Sequence, residues 1–172
     1  VNGGNGTNAY LLTHHIYVGR NVSHENRQAH YWSKQASDVI MSQNVAFMNR
    51  RHGNQRGDGM GFQYGPDNLW FLFNEIYDCA HGIRQSSTND FPGRNAYIIG
   101  NVIYDLYQTP GMTGGHEDPE LRLDYAHADG WAIALWSSGY DRHVLGNTIY
   151  NVYGGLFGPK GSVGDFNIYG NI

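Results

Sequence analysis

The chain has 172 residues and a formal net charge of −4; 15% of its residues are charged, 14% are aromatic, and 24 are glycine. Low charge with abundant aromatics is the opposite of a disordered composition, and the length suffices for one domain with a core. No basic run exceeds Arg50-Arg51, which excludes a nucleic-acid footprint, and no apolar run is long enough to span a membrane.

In chain order, six short apolar stretches each end on an asparagine. They are Ile16 to Asn21, Val39 to Asn44, Leu69 to Asn74, Ala96 to Asn101, Arg142 to Asn147 and Phe166 to Asn171. The asparagines are spaced by 23, 30, 27, 46 and 24 residues. Self-similarity at this period marks a solenoid, in which each repeat buries its apolar face against its neighbours. Five residues before each asparagine stand Ile16, Val39, Leu69, Ala96, Arg142 and Phe166, and three before stand Val18, Met41, Phe71, Ile98, Val144 and Ile168. Apart from Arg142 all are apolar, and the alternation of two is that of a strand with one buried face. No 3.6-residue period is sustained, so helices are not predicted.

Asparagine suits a recurrent bend because its side chain tolerates turn geometry and bonds backbone groups. Stacked at the strand spacing of about 4.8 Å, each amide can also bond the next in a ladder.

A second strand per repeat is predicted at Asp58 to Tyr64, His81 to Ser86, Asp129 to Leu135 and Gly154 to Phe157. The surplus residues, Asn49 to Gly57 and Gln108 to Ala128, fall at one corner, where inserted loops often build a binding face. Segment 108–128 is read as an inserted loop; the alternative is a degenerate coil with Leu121, Leu123 and Ala126 inward.

Gly100-Asn-Val-Ile-Tyr-Asp105 and Gly146-Asn-Thr-Ile-Tyr-Asn151, with His81-Gly-Ile83 and Gly154-Gly-Leu156, resemble the repeats of the pectate-lyase-like superfamily over roughly residues 15–172. The expected fold is all-β: a right-handed parallel β-helix, a single-stranded solenoid, with an asparagine ladder and loop insertions at one corner. Residues 1–172 then form one domain, expected to be part of a longer solenoid because Val1 and Ile172 begin and end abruptly within the pattern. The resemblance implies a carbohydrate-active protein, a polysaccharide lyase or glycoside hydrolase acting on an acidic glycan, at an extracellular or cell-surface location. Its alternative is a non-catalytic solenoid of an adhesin, surface fibre, filament or tailspike.

Aligning the second strands by their glycines puts Asp58, His81 and Asp129 in one column, neighbours about 5 Å apart, with His30 as a poorly registered extension. Two carboxylates flanking an imidazole would supply an acid–base group, and carboxylates about 10 Å apart suit inverting glycoside hydrolysis. Arg84, at an outward position near Lys160, would act on or neutralise a uronate carboxylate. The competing explanation is that Asp and His before Gly are turn residues and Arg84 a solvated charge.

Glu117, Asp118, Glu120 and Asp124 offer oxygen ligands for Ca²⁺, in a spacing that matches no EF-hand, with a solvated acidic loop as the alternative. No organic cofactor is implied, and the nine histidines lack zinc spacing. The lone Cys79 excludes an intrachain disulfide. Outward positions Tyr17, Ile40, Trp70, Tyr97 and His143 form an apolar stripe that would stack sugar rings or be covered by a flanking domain or a second subunit. Phe47, Tyr77, Tyr104 and Tyr150 form a second aromatic column.

Overall fold

The computed structural model describes residues 13–26, 28–49, 57–85, 95–106, 130–135, 141–157 and 166–172. Strands come in repeating groups of three, beginning with β1 (His14–Gly19), β2 (Val22–His24) and β3 (Ala29–Lys34). The next groups are β4 (Ser37–Ser42), β5 (Val45–Asn49) and β6 (Asp58–Gln63), then β7 (Asp67–Leu72), β8 (Glu75–Cys79) and β9 (His81–Gln85). They are followed by β10 (Asn95–Ile99), β11 (Val102–Tyr104) and β12 (Trp131–Leu135), then β13 (Asp141–Leu145), β14 (Thr148–Tyr150) and β15 (Gly154–Phe157), and a last strand, β16 (Phe166–Tyr169). First members pair in one six-stranded sheet, second members in a five-stranded sheet and third members in another. Every pairing is parallel. The chain therefore visits the three sheets in rotation, which is consistent with a β-helical solenoid. Among the described residues there is no helix, and so none long and apolar enough to cross a membrane.

The core lies between the sheets. Val39, Leu69 and Ala96 stack in register, as do Met41, Phe71, Ile98 and Val144, and Ala46, Ile76 and Ile103 do the same on the second sheet; all are buried. Arg142, the exception to the apolar pattern, occupies the inward column beside Ala96 and is fully buried. Its Nη2 reaches Gln85 Oε1 at 3.4 Å.

The asparagines form the expected ladder. Asn21 Nδ2 donates to Asn44 Oδ1 (3.1 Å), Asn44 to Asn74 (3.1 Å), Asn74 to Asn101 (2.9 Å), Asn101 to Asn147 (2.9 Å) and Asn147 to Asn171 (2.8 Å). Each Oδ1 accepts a second bond from the preceding asparagine's backbone N–H, and from Asn44 onward each Nδ2 also donates to a carbonyl of the preceding coil. The residue before each asparagine has positive φ: Arg20, Gln43, Phe73, Gly100, Gly146 and Gly170. Three of the six are glycine, which takes this conformation without a Cβ penalty.

Asn101 and Asn147 bond directly, and β10 pairs with β13, so these two coils are immediate neighbours. The segment 108–128 itself lies outside the described residues, as do Leu121, Leu123 and Ala126. A further polar column lies at the start of the first sheet: Asn68 Nδ2 donates to Asp38 Oδ1 and Asn95 Nδ2 to Asn68 Oδ1, both at 3.0 Å.

Candidate functional site

The third sheet carries the candidate site. Register places Ala29, Asp58 and His81 side by side at the starts of β3, β6 and β9. His30 therefore does not continue the column. It sits one residue further on, with Nδ1 2.9 Å from both Ser23 Oγ and Asn26 Nδ2. Burial, then repulsion from His24, pushes the His30 imidazole down to about 4.

On the other side the expected column also fails. Ile133 pairs with Ile83 and Ala134 with Arg84, while the Gly130 N–H donates to the Ala80 carbonyl, so Gly130 and Trp131 come up beside His81. Asp129 itself lies outside the described residues. The inward isoleucines set the alignment, and the Gly82 and Gly130 turns do not coincide.

Asp58 and His81 are fully buried, and Arg84 is only 5% exposed. Arg84 grips Asp58 with both arms, Nε to Oδ1 at 2.8 Å and Nη2 to Oδ2 at 2.6 Å. His81 Nδ1 lies 3.2 Å from Asp58 Oδ1, within ion-pair range, but the ring is not turned for a straight hydrogen bond. Burial alone would raise the Asp58 carboxyl; Arg84 and His81 outweigh it and hold the group well below the usual carboxylate range. His81 Nε2 and Arg84 Nη1 are buried without a hydrogen-bond partner. Arg84 is thus neither a solvated surface charge nor a free hand for a substrate carboxylate: its charge is committed to Asp58.

Above this cluster lies Trp32. It stands in register with Gly61 and, through it, with Arg84, whose guanidinium sits 5.1 Å from the centre of the indole. Gly61 makes this possible, since a Cβ there would stand 2.3 Å from the Trp32 ring and 2.2 Å from the Arg84 carbonyl oxygen. A cavity of about 150 Å³ opens beside it, lined by Gln28, Ala29, Trp32, Lys34 and Asp58. Lys34 rests over the Tyr64 ring at 5.6 Å. Sequence reasoning missed Trp32 and Lys34; the available signal was the glycine at the aligned position of β6.

The Trp70 stripe is a stack. Trp70 and Tyr97 lie 5.4 Å apart at 6°, and Tyr97 and His143 4.6 Å apart at 8°. Both faces of Tyr97 are therefore occupied by neighbouring rings. The side chains are half-buried, and only Tyr17, 61% exposed, stands clear. The second column runs through five rings, His24, Phe47, Tyr77, Tyr104 and Tyr150, at 4.9–5.2 Å.

Lys160 and the acidic residues Glu117, Asp118, Glu120 and Asp124 lie outside the described residues. Among the described residues no three His, Cys, Asp or Glu side chains come together as a metal site. Cys79 is buried, and burial pushes its thiol up to about 12, so it is a core residue and not a nucleophile.

No protein-family model, no curated protein and no solved structure matches the chain.

Proposed function

We propose that the chain is a right-handed parallel β-helix of the pectate-lyase-like kind, carbohydrate-active and directed at an acidic extracellular glycan, as a polysaccharide lyase or glycoside hydrolase. The observation that carries this reading is the cavity on the third sheet, where an indole, an ammonium group and a buried carboxylate converge. Indole faces with a few fixed polar groups are the chemistry that holds a sugar ring. Asp58, kept ionised and held by Arg84, is too weak a base to abstract a proton near neutral pH. The reading gives the proton transfer to His81, whose Nε2 is buried without a hydrogen-bond partner. Two of the longer connections, from β5 to β6 and from β11 to β12, join second-sheet to third-sheet strands.

The test is turnover and binding on a panel of polyuronides and neutral polysaccharides, by reducing-end release and ultraviolet absorbance of an unsaturated product. His81→Ala should abolish turnover, and Trp32→Ala should weaken binding while the thermal transition stays cooperative. Absence of binding and turnover on the whole panel would sink the reading.

A second reading, a structural solenoid of an adhesin or fibre, is favoured by the full burial of Asp58 and His81 and by the ring-on-ring packing. It expects a homo-oligomer or filament in light scattering, with the Trp70 face covered by the partner chain.

A further inference from the structure

We propose that Tyr104 and Tyr150 form an oxidative modification site, where a peroxide acting through a peroxidase joins the two rings as a dityrosine and staples neighbouring coils together. Neither residue belongs to the third-sheet site, so the staple forms or fails independently of the glycan reading. β11 and β14 pair in register, which sets Tyr104 directly beside Tyr150. Their rings are stacked with centroids 4.9 Å apart and planes 6° from parallel. The backbone therefore holds two phenols one rung apart, an intramolecular advantage that tyrosines meeting in solution lack. Tyr150 closes the described column and is 50% exposed, so an oxidant can reach it and its ring can tilt toward Tyr104. Tyr77, on the other face of Tyr104, is itself enclosed between Phe47 and Tyr104 at 5.0 Å on each side.

Tyr104 also has a proton acceptor in place. Its hydroxyl donates to Glu75 Oε1 at 2.8 Å. Burial, then this bond, holds the phenol above its ordinary range, so it keeps a proton aimed at a carboxylate. In the step, Tyr104 loses one electron to the oxidised peroxidase and its proton to Glu75. Tyr150 loses one electron likewise and gives its proton to water. The two electrons and two protons reduce one hydrogen peroxide to two waters. The phenoxyl radicals then join through ring carbons adjacent to their oxygens. The hydrogen on each joined carbon moves to the oxygen, which restores both hydroxyls. The new bond closes a covalent loop between positions 104 and 150 and ties β11 to β14, as a disulfide would.

The experiment treats the dilute full chain with hydrogen peroxide and a haem peroxidase. It follows the blue dityrosine emission, the monomer band on a denaturing gel and the masses of linked peptides. The expected product is a monomer short of two hydrogen atoms, with Tyr104 joined to Tyr150. Tyr104→Phe and Tyr150→Phe, each of which keeps a ring in the column, should both lose this product. Glu75→Gln should give the same link more slowly, and unfolding in urea before treatment should abolish the preference for this pair. Absence of dityrosine, links between chains only, or a link through Tyr77 or the more exposed Tyr153 and Tyr169 overturns the assignment. An unchanged rate in Glu75→Gln overturns the step as written.

Discussion

Replacing Asn74 by alanine tests the ladder in its buried middle. Asn74 is 1% exposed and its side chain takes part in four bonds. Its Oδ1 accepts from the Asn44 N–H (3.0 Å) and Nδ2 (3.1 Å), and its Nδ2 donates to the Met41 carbonyl and to Asn101 Oδ1, both at 2.9 Å. The backbone bond from Asn74 N–H to Asn101 Oδ1 survives the substitution. Asn44 Nδ2 keeps Val18 O, and Asn101 Oδ1 keeps that backbone donor. What is lost outright is the acceptor for the Asn44 N–H and one donor to Met41 O. At ~1–3 kcal/mol for each buried group left unmatched, Asn74→Ala should cost about 3–5 kcal/mol. Asn21→Ala, at the exposed end, removes bonds from groups that water can replace and should cost under about 1 kcal/mol. Urea unfolding followed by circular dichroism measures both. Equal costs, or a cost below about 1 kcal/mol at Asn74, would show that the amide column is not what holds the coils in register.

Asp58→Asn removes the negative charge between Arg84 and His81 and leaves a buried guanidinium uncompensated, so it should destabilise by about 3–5 kcal/mol. Because the folded Asp58 carboxyl is depressed below its unfolded value of ~3.9, its contribution is complete above that value and is lost as pH falls below it; a melting-temperature series in acid should show this fall in the native chain and a flatter profile in Asp58→Asn. Gly100→Ala should cost more than Gly146→Ala. Both have positive φ, but a Cβ on Gly100 would stand 2.5 Å from the Phe73 ring, whereas nothing lies within 4 Å of one on Gly146, and thermal denaturation compares the two.

The sequence showed the rungs because each carries the same demand at the same place. An asparagine that follows a left-handed residue and sits between apolar alternations has one structural use, and all six asparagines serve it. A second column was equally visible six residues before each ladder asparagine, at His15, Asp38, Asn68, Asn95, Asp141 and Asp165, yet its mixed residue types hid it. The candidate site was legible only in part. Asp58 and His81 were correctly placed side by side because the strands around them are in simple register. Asp129 lies outside the described residues; it was reached by aligning glycines, which mark turns, while the core pairs Ile83 with Ile133. Side-chain direction was the other gap. Period two places Arg84 on the outer face, but it cannot show that Trp32 and Asp58 close over it.

Trp32 differs from the stacked aromatics in what stands beside it on the next rung. Tyr97 and Tyr77 have aromatic neighbours on both sides, at distances close to the spacing of strands. Trp32 has Gly61 next to it, and its ring lies across that glycine with part of its surface lining the cavity. Gly61→Ala should therefore act on the site as well as on stability. Its Cβ would meet the Arg84 carbonyl oxygen at 2.2 Å, which cannot swing aside, and the Trp32 ring at 2.3 Å, which can. Strand separation and a displaced indole should together cost about 1–3 kcal/mol and move Trp32 off Arg84. Gly155→Ala is the control: a Cβ there meets nothing within 4 Å, and the change should stay within about 0.5 kcal/mol. Chemical denaturation reports the stabilities, and tryptophan emission reports the indole. Gly61→Ala matching Gly155→Ala in both would mean that Trp32 does not rest on the glycine, and the cavity wall would have to be assigned elsewhere.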